Sequence, residues 1–171
     1  MKKILGLLLL GVFCFACAQK VTDDFSVAVE MMKNGQYDNA IEMFNKVVSQ
    51  QKDDETKANA LYNIGFCYGL KKDYDTETQY YKKAIEVYPA CQVALYDLGS
   101  IYYKNNDFDN SLKLFEELKN INPEHEGAFY MAAMVYKSLG DEEKCIINLE
   151  TAAELGSTEA EDLLNKIEQE K

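Results

Sequence analysis

The side chains best suited to catalysis are few and stand apart from one another. The single histidine, His125, lies between Glu124 and Glu126, just after Pro123. A catalytic histidine works with a nucleophile or a second base within hydrogen-bond reach, and no such group stands near it in sequence. We therefore interpret His125 as a solvated turn residue, with a catalytic or metal-binding role as the lesser alternative.

Three acidic groups are the other candidates for chemistry: Asp53–Glu55, Asp141–Glu143, and Glu159 with Glu161 and Asp162. None has the spacing of a calcium-binding loop. Because carboxylates at the start of a helix are stabilised by its dipole, we interpret these groups as solvated helix ends. Glycine-rich phosphate loops and recognisable pairs of catalytic carboxylates are also missing from the sequence. We predict a protein that is not an enzyme and has no catalytic residues, metal or cofactor.

Three cysteines follow the first 18 residues: Cys67, Cys91 and Cys145. Their separations of 24 and 54 residues match no zinc-binding pattern. An odd number of cysteines cannot pair completely within one chain. We expect buried side chains that pack as small apolar groups, and a disulfide framework is the alternative.

The charge of the chain excludes one large class of partner. Acidic residues number 29 against 18 basic ones, for a net charge of -11, and every basic residue is a lysine. Such a chain repels phosphate backbones and lacks the bidentate phosphate contact that arginine makes. We predict no nucleic-acid partner.

The first 18 residues have the pattern of a secretory signal peptide. Lys2 and Lys3 precede the apolar run Ile4–Phe15, which is shorter than the roughly 20 residues needed to cross a bilayer. We exclude this segment from the fold and predict export, to the periplasm in a cell with two membranes. We expect no transmembrane segment in the mature chain, and an uncleaved anchor is the minor alternative.

Two interpretations of the cleavage site stay open. Residues 16–18 form a small-x-small site for signal peptidase, which would leave Gln19 as the new N-terminus. Alternatively, Cys17 would be the lipid-bearing first residue of a membrane-anchored lipoprotein. Cys14 and Phe15 depart from the aliphatic and small residues expected before such a cysteine, so we favour plain secretion.

The elements that must position these side chains repeat every 34 residues. The period is seen in three series of positions, which are Tyr62, Tyr96 and Tyr130; Tyr68, Tyr102 and Tyr136; and Gly65, Gly99 and Ala133. Within a unit, apolar residues fall three, four and seven places apart, which is the spacing of one helical face. A glycine inside a helix costs about 1 kcal/mol relative to alanine. Gly65 and Gly99 therefore predict that a second helix approaches closely at these positions.

Two further series complete the pattern. Tyr81 corresponds to Phe115 and Leu149, and Pro89 to Pro123. Together with the repeated Ile/Leu-Gly-x-x-Tyr sequence, these residues resemble the tetratricopeptide-repeat (TPR) family, whose 34-residue unit is a helix-turn-helix. The resemblance implies an all-α, right-handed TPR solenoid of about four helix pairs with a C-terminal capping helix.

This resemblance covers residues 21–159 and predicts the organisation of the whole chain. A signal peptide at 1–18 is followed by a single TPR domain at 19–171. The expected repeats are 21–54, 58–91, 92–125 and 126–159, with the capping helix at 158–170.

The resemblance also implies where a partner binds, because the first helices of successive TPR units line a concave surface. The residues expected to point inward are Phe25, Val29, Tyr62, Phe66, Tyr96, Ser100, Tyr103, Tyr130, Met134 and Lys137. The 34-residue period predicts a ladder of Tyr62, Tyr96 and Tyr130. Tyrosine offers a large apolar area, a polar tip and few rotatable bonds, which suits recognition. Alternatively, these tyrosines only complete the packing between helices.

From this surface we expect a non-catalytic scaffold or adaptor of the cell envelope that holds a peptide or helix of another protein. Some TPR proteins clamp a C-terminal carboxylate with lysine and asparagine at the inner positions, and the tyrosines here predict no such clamp. The alternative is a structural subunit that associates with a copy of itself, or joins a larger envelope complex, through its ends or convex face. An enzyme or an enzyme accessory is the third hypothesis.

Overall fold

A computed structural model of the protein describes residues 24–169. The regular structure in this part of the chain is α-helical, as the sequence predicts. Its helices are α1 (24–33), α2 (Tyr37–Gln50), α3 (Asp54–Leu70), α4 (Tyr74–Val87), α5 (Gln92–Lys104), α6 (Phe108–Ile121), α7 (Glu126–Leu139), α8 (Glu142–Glu154) and α9 (Thr158–Gln169). Within these bounds no helix is long and apolar enough to cross a membrane. The predicted signal peptide, with Cys17, lies outside the described residues.

The two helices of each pair are joined by a tight turn that contains one left-handed residue. The backbone angle φ is 75° at Gly35 and Gly140, 65° at Lys72 and 60° at Asn106. In each turn, the next residue donates its N–H to the carbonyl oxygen five positions back, as Asp73 does over 2.9 Å. This arrangement satisfies carbonyl groups that the helix end would leave unpaired, so these turns hold the paired helices antiparallel.

Aspartates begin the second helix in three of the pairs. The carboxylates of Asp73, Asp107 and Asp141 each accept the backbone N–H three residues later, over 3.2, 3.4 and 3.1 Å. Asp53 begins α3 in the same way, accepting the N–H of Thr56 over 2.8 Å. Such caps satisfy donors that have no partner within the helix. The acidic groups that begin at Asp53 and Asp141 are therefore helix starts, as predicted.

The described residues divide into two compact units, the first ending at Pro89 and the second beginning at Ala90. In the first unit, α2 packs on α3, and α3 packs on α4. Its core cluster consists of Ala28, Ala40, Phe44, Val47, Ala60, Ile64 and Cys67.

The second unit contains α5 to α9, and its helices pack in chain order. One core cluster consists of Phe115, Ala132 and Val135, and another of Ala133, Cys145, Leu149, Ala152 and Ala160. Three side chains of α9 pack against the second cluster, namely Leu163, Leu164 and Ile167. Because this apolar stripe packs against that cluster, α9 presents its charged residues to solvent.

Gly65 and Gly99 lie where the two helices of a pair come closest. A Cβ atom on Gly65 would stand 2.9 Å from the ring of Tyr81, and one on Gly99 would stand 2.9 Å from the ring of Phe115. Both rings are buried. The close approach predicted from the repeat is confirmed.

Cys67, Cys91 and Cys145 are buried, which confirms their interpretation as small packing residues. Burial raises the pKa of the Cys67 thiol to about 11, against a small opposing effect of the Lys71 ammonium group. Burial likewise raises the pKa of the Cys145 thiol. Both thiols are therefore protonated at neutral pH.

Candidate peptide-binding surface

The predicted binding residues of the first unit lie on α1 and α3. On α1, Phe25 and Val29 pack against the core cluster of that unit. The ring of Phe25 meets that of Phe44 edge to face, with centroids 5.4 Å apart and an interplanar angle of 71°. Phe25 therefore contributes to the packing of α1 on α2 as well as to the surface.

On α3, the rings of Phe66 and Tyr62 stack in line with the ring of Tyr81, and we call these three side chains the aromatic column. The centroids of Tyr62 and Tyr81 are 5.1 Å apart, and those of Tyr62 and Phe66 are 6.3 Å apart. The Tyr81 hydroxyl donates a hydrogen bond to the Glu77 carboxylate over 3.0 Å. Because Tyr81 is buried, it gives Tyr62 a fixed support.

The outer end of the aromatic column is accessible to a partner. Phe66 is 37% exposed, and Leu70, one helical turn further along α3, is 43% exposed. Residues four positions apart share a helix face, so Tyr62, Phe66 and Leu70 make one apolar stripe. The predicted set omits Leu70, although its spacing from Phe66 indicated the same face.

A shallow cavity of about 570 Å³ opens on α1 of the first unit. Its lining contains the predicted residues Phe25 and Val29 together with Ser26, Glu30, Lys33 and Asn34. The lining is apolar on one side and charged on the other. This mixture suits an amphipathic ligand better than a purely apolar one.

In the second unit, Tyr96 of α5 is held by three neighbours. Its ring stacks on the imidazole of His125, with centroids 5.5 Å apart at 24°, and meets the ring of Phe115 at 5.9 Å and 64°. A Cβ atom on Gly127 would stand only 3.1 Å from the Tyr96 ring. The glycine at the start of α7 thus provides the space that the tyrosine occupies.

The structure corrects the interpretation of His125 as a solvated turn residue. His125 is half-buried, and its Nδ1 accepts the backbone N–H of Ala128 over 3.2 Å, which caps α7. Its ring also supports Tyr96. The 34-residue pattern describes positions within helix pairs, whereas His125 lies in the connection between two pairs, so the pattern gave no signal for this contact.

The remaining predicted residues of α5 are Ser100, which bonds within its own helix, and Tyr103, which contacts two other helices. The Ser100 hydroxyl donates to the Tyr96 carbonyl oxygen over 2.9 Å. The Tyr103 hydroxyl accepts a long, 3.5 Å contact from the hydroxyl of Ser138 on α7, and its ring lies 6.1 Å from that of Phe108. The contact between Tyr103 and Ser138 joins α5 and α7 within the second unit.

On α7, Tyr130 and Met134 are half-buried, and Lys137 is exposed. Tyr130 and Met134 pack against the core cluster that α8 and α9 share with α7. Tyr130 and Tyr96 both belong to the second unit, while Tyr62 belongs to the first unit. The ladder of three tyrosines stays a prediction.

Three carboxylates act electrostatically on the hydroxyl of Tyr96. Burial raises the pKa of this hydroxyl most, and the negative charges of Asp97, Glu126 and Glu159, with the hydroxyl of Tyr130, raise it further. Tyr96 is therefore protonated at neutral pH and available as a hydrogen-bond donor in a negative local field. Among the described residues, no group of three or more histidine, cysteine or acidic side chains is arranged to hold a metal ion.

Comparisons with known proteins agree with the repeat pattern. Family models described as tetratricopeptide repeat match residues 27–90, 93–125 and 127–155. No curated protein matches the chain.

Three solved structures illustrate the likeness of fold. MamA (residues 41 to the end) from Desulfovibrio magneticus RS-1 is 20% identical with a TM-score of 0.65, over 80% of this chain and 76% of that one. YrrB, described as a TPR protein with an unusual peptide-binding site, is 19% identical with a TM-score of 0.65, over 85% and 74%. A tetratricopeptide repeat protein from Parabacteroides merdae ATCC 43184 is 17% identical with a TM-score of 0.71, over 83% and 56%.

At these identities the solved structures establish the fold alone, and they confirm the predicted fold class, an all-α TPR solenoid. The three family models, all of the tetratricopeptide repeat, together match residues 27 to 155 with only short gaps. The chain belongs to the tetratricopeptide-repeat family.

Proposed function

We propose that the protein is a non-catalytic interaction scaffold of the cell envelope, which it reaches by export. It binds a peptide or a helix of another protein on the aromatic side chains of the first helix in each pair. Proteins of this family are in general interaction scaffolds. Envelope location rests on the signal-peptide pattern of residues 1–18.

The observation that carries this proposal is the aromatic column with its accessible end. Phe66 and Leu70 remain 37% and 43% exposed, although the rings behind them are fixed on a buried tyrosine. A rigid aromatic surface loses little conformational entropy on binding, which favours affinity. Peptide binding is also what the name of the YrrB structure describes for that protein.

The test uses short random peptides displayed on phage and selected against the purified protein. Affinities of the selected peptides are then measured by fluorescence polarisation with Tyr62→Ala, Phe66→Ala and Tyr96→Ala variants. Loss of a central aromatic anchor costs about 2 kcal/mol or more, a weakening of roughly 30-fold. The matched control is Tyr74→Ala, because Tyr74 is 62% exposed at the start of α4, outside the first helices.

The proposal predicts that the control binds as the parent does, while at least one of the three variants binds at least about tenfold more weakly. Far-UV circular dichroism establishes that each variant is folded. If the Tyr62→Ala/Tyr96→Ala double variant retains every selected peptide with parental affinity, the aromatic surface is not the binding site.

Self-association is a second candidate, favoured by one apolar residue on a second helix. Ile147 on α8 is 52% exposed. Sedimentation over a range of protein concentrations would show a mass that rises with concentration, is unchanged by Tyr96→Ala and returns to that of a monomer in Ile147→Asp. A constant monomer mass would eliminate this candidate.

A further inference from the structure

The two units differ strongly in charge. Residues 1–89 contain 12 acidic residues and 11 lysines, a net charge of -1, whereas residues 90–171 contain 17 acidic residues and 7 lysines, a net charge of -10. Nearly all of the excess negative charge of the chain is therefore carried by the second unit. A field of this kind attracts cationic partners and repels anionic ones.

Part of this charge lies at the predicted binding surface of the second unit. Glu126 is the residue before Gly127, and a Cβ atom on Gly127 would stand 3.1 Å from the Tyr96 ring. Glu159, in the first turn of α9, and Asp97, beside Tyr96 on α5, also act electrostatically on the Tyr96 hydroxyl. Glu126 and Glu159 are exposed, so an incoming partner would meet them together with the tyrosine.

Lys137, the one cation in the predicted set, is far from Glu126 along α7. Lys137 lies eleven residues after Glu126 on α7, a separation of about 16 Å along the helix axis. This separation exceeds the Debye length at physiological ionic strength, roughly 8 Å, so Lys137 does not neutralise the start of α7. The surface at Tyr96 is aromatic and negative, while its far end is positive.

We infer that this surface of the second unit binds a peptide segment that carries lysine or arginine, with the cationic side chain placed among Glu126, Glu159 and the hydroxyl of Tyr96. Aromatic rings attract cations through their quadrupole, and arginine also stacks on them. The carboxylates add the charge complementarity that discriminates between peptides. This inference rests on the proposed function, since it names the chemistry of the partner at that site.

The negative charge of this surface also determines which peptides it rejects. A peptide rich in aspartate or glutamate would be placed against like charges, and this juxtaposition opposes binding. An anionic tail is therefore the wrong occupant for this surface. The partner is instead expected to combine an apolar residue, for the tyrosine rings, with a positively charged residue nearby.

The experiment compares peptide pools selected from the same random library. One pool is selected on the parent protein, one on Tyr96→Ala, one on Glu126→Gln/Glu159→Gln and one on the matched control Glu150→Gln/Glu154→Gln. Both control positions are exposed on α8, so the control removes the same total charge from the same unit. The measured quantity is the frequency of lysine and arginine relative to aspartate and glutamate.

The inference predicts that lysine and arginine are enriched in the parent and control pools and lose that enrichment on Glu126→Gln/Glu159→Gln. Individual cationic peptides from the parent pool should bind this variant about fivefold to tenfold more weakly and the control as tightly as the parent, since exposed ion pairs are weak individually. Raising the salt concentration should weaken the same peptides.

Two results separate the failure of this inference from the failure of the proposed function. If peptides depend on Tyr96 but show no preference for lysine or arginine, the inference is overturned and the peptide-binding function stands. If no selected peptide responds to Tyr96→Ala or to the aromatic column variants, both are overturned. Equal weakening by the control and by Glu126→Gln/Glu159→Gln would assign the effect to overall charge and also overturn the inference.

Discussion

The substitution Gly65→Ala tests how closely α3 and α4 must approach. The added methyl group would stand 2.9 Å from two carbons of the Tyr81 ring and 3.1 Å from the backbone oxygen of Glu77. Normal carbon contacts are about 3.5 to 4.0 Å. Neither obstacle can move freely, because Tyr81 is 1% exposed and the other atom belongs to the backbone of α4.

The expected magnitude follows from two opposing effects. Forcing an extra methyl group into a packed contact costs about 1–3 kcal/mol. Alanine recovers up to about 1 kcal/mol through its higher helix propensity. We expect the free energy of unfolding to fall by about 1–2 kcal/mol, since the backbone contact prevents a complete relaxation.

The assay is urea denaturation of the purified protein, followed by far-UV circular dichroism. Gly69→Ala is the matched control on the same helix, because the nearest atoms to its new methyl group belong to the Glu77 side chain, whose end can move. There the gain in helix propensity is about 1 kcal/mol, and the loss of the Tyr81–Glu77 hydrogen bond, whose acceptor is a carboxylate, costs about 1.5 kcal/mol or more, so we expect a net loss smaller than that of Gly65→Ala.

Displacement of Tyr81 should also reach the binding surface, since the Tyr62 ring stacks on it at 5.1 Å. If Gly65→Ala proves as stable as the parent protein, or loses no more stability than Gly69→Ala, the close approach does not constrain this pair and the reasoning is refuted.

Three further predictions concern single side chains. Hydrogen bonds from the hydroxyl and N–H of Thr56 lower the pKa of the Asp53 carboxyl from its usual 3.8. The contribution of Asp53 to stability is therefore present above pH 3.8 and is lost as the pH falls through the lowered pKa. In acid unfolding, Asp53→Asn should lose less stability than the parent protein does. Cys67, with a pKa of about 11, should resist iodoacetamide at neutral pH until urea unfolds the protein, as read by peptide mapping; rapid native labelling would contradict its burial. His125→Asn keeps a side chain able to cap α7 but removes the ring beneath Tyr96, so thermal unfolding should show a smaller loss than His125→Ala, and equal losses would mean that the cap contributes nothing.

The sequence predicted the helix pairs well because the repeat encodes them directly. Gly65 and Gly99 mark contacts that any TPR pair requires, and the structure places buried rings against both. His125 and Glu159 could not be recognised in the same way. His125 lies in a connection, and Glu159 lies in the first turn of the last helix. Their effect on Tyr96 therefore depends on how elements pack within the second unit rather than on a period along the chain.

Exposure was the other property that the sequence left undetermined. A tyrosine at an inner position has the same sequence signal whether it faces a partner or completes the packing. The structure shows that the Tyr96 ring contributes to packing, since it contacts Phe115 and His125, while the residue is only half-buried. The identity of the residue at this position does not determine how much of its ring is exposed, because that depends on the neighbouring elements that pack against it.

The left-handed turn residues have a consequence for the order in which the pairs open. Of the turns that join the two helices of a pair, each unit contains one made by glycine, at Gly35 or Gly140, and one made by a residue with a side chain, at Lys72 or Asn106. A left-handed backbone costs most residues about 1–2 kcal/mol, and asparagine less. In repeat proteins such a cost acts mainly on the repeat that contains it. We therefore expect amide hydrogen exchange in α3 and α4 to be faster in the parent protein than in the Lys72→Gly variant. A substitution at the turn residue therefore changes how long each helix pair stays closed and leaves the residues of the proposed binding surface unchanged.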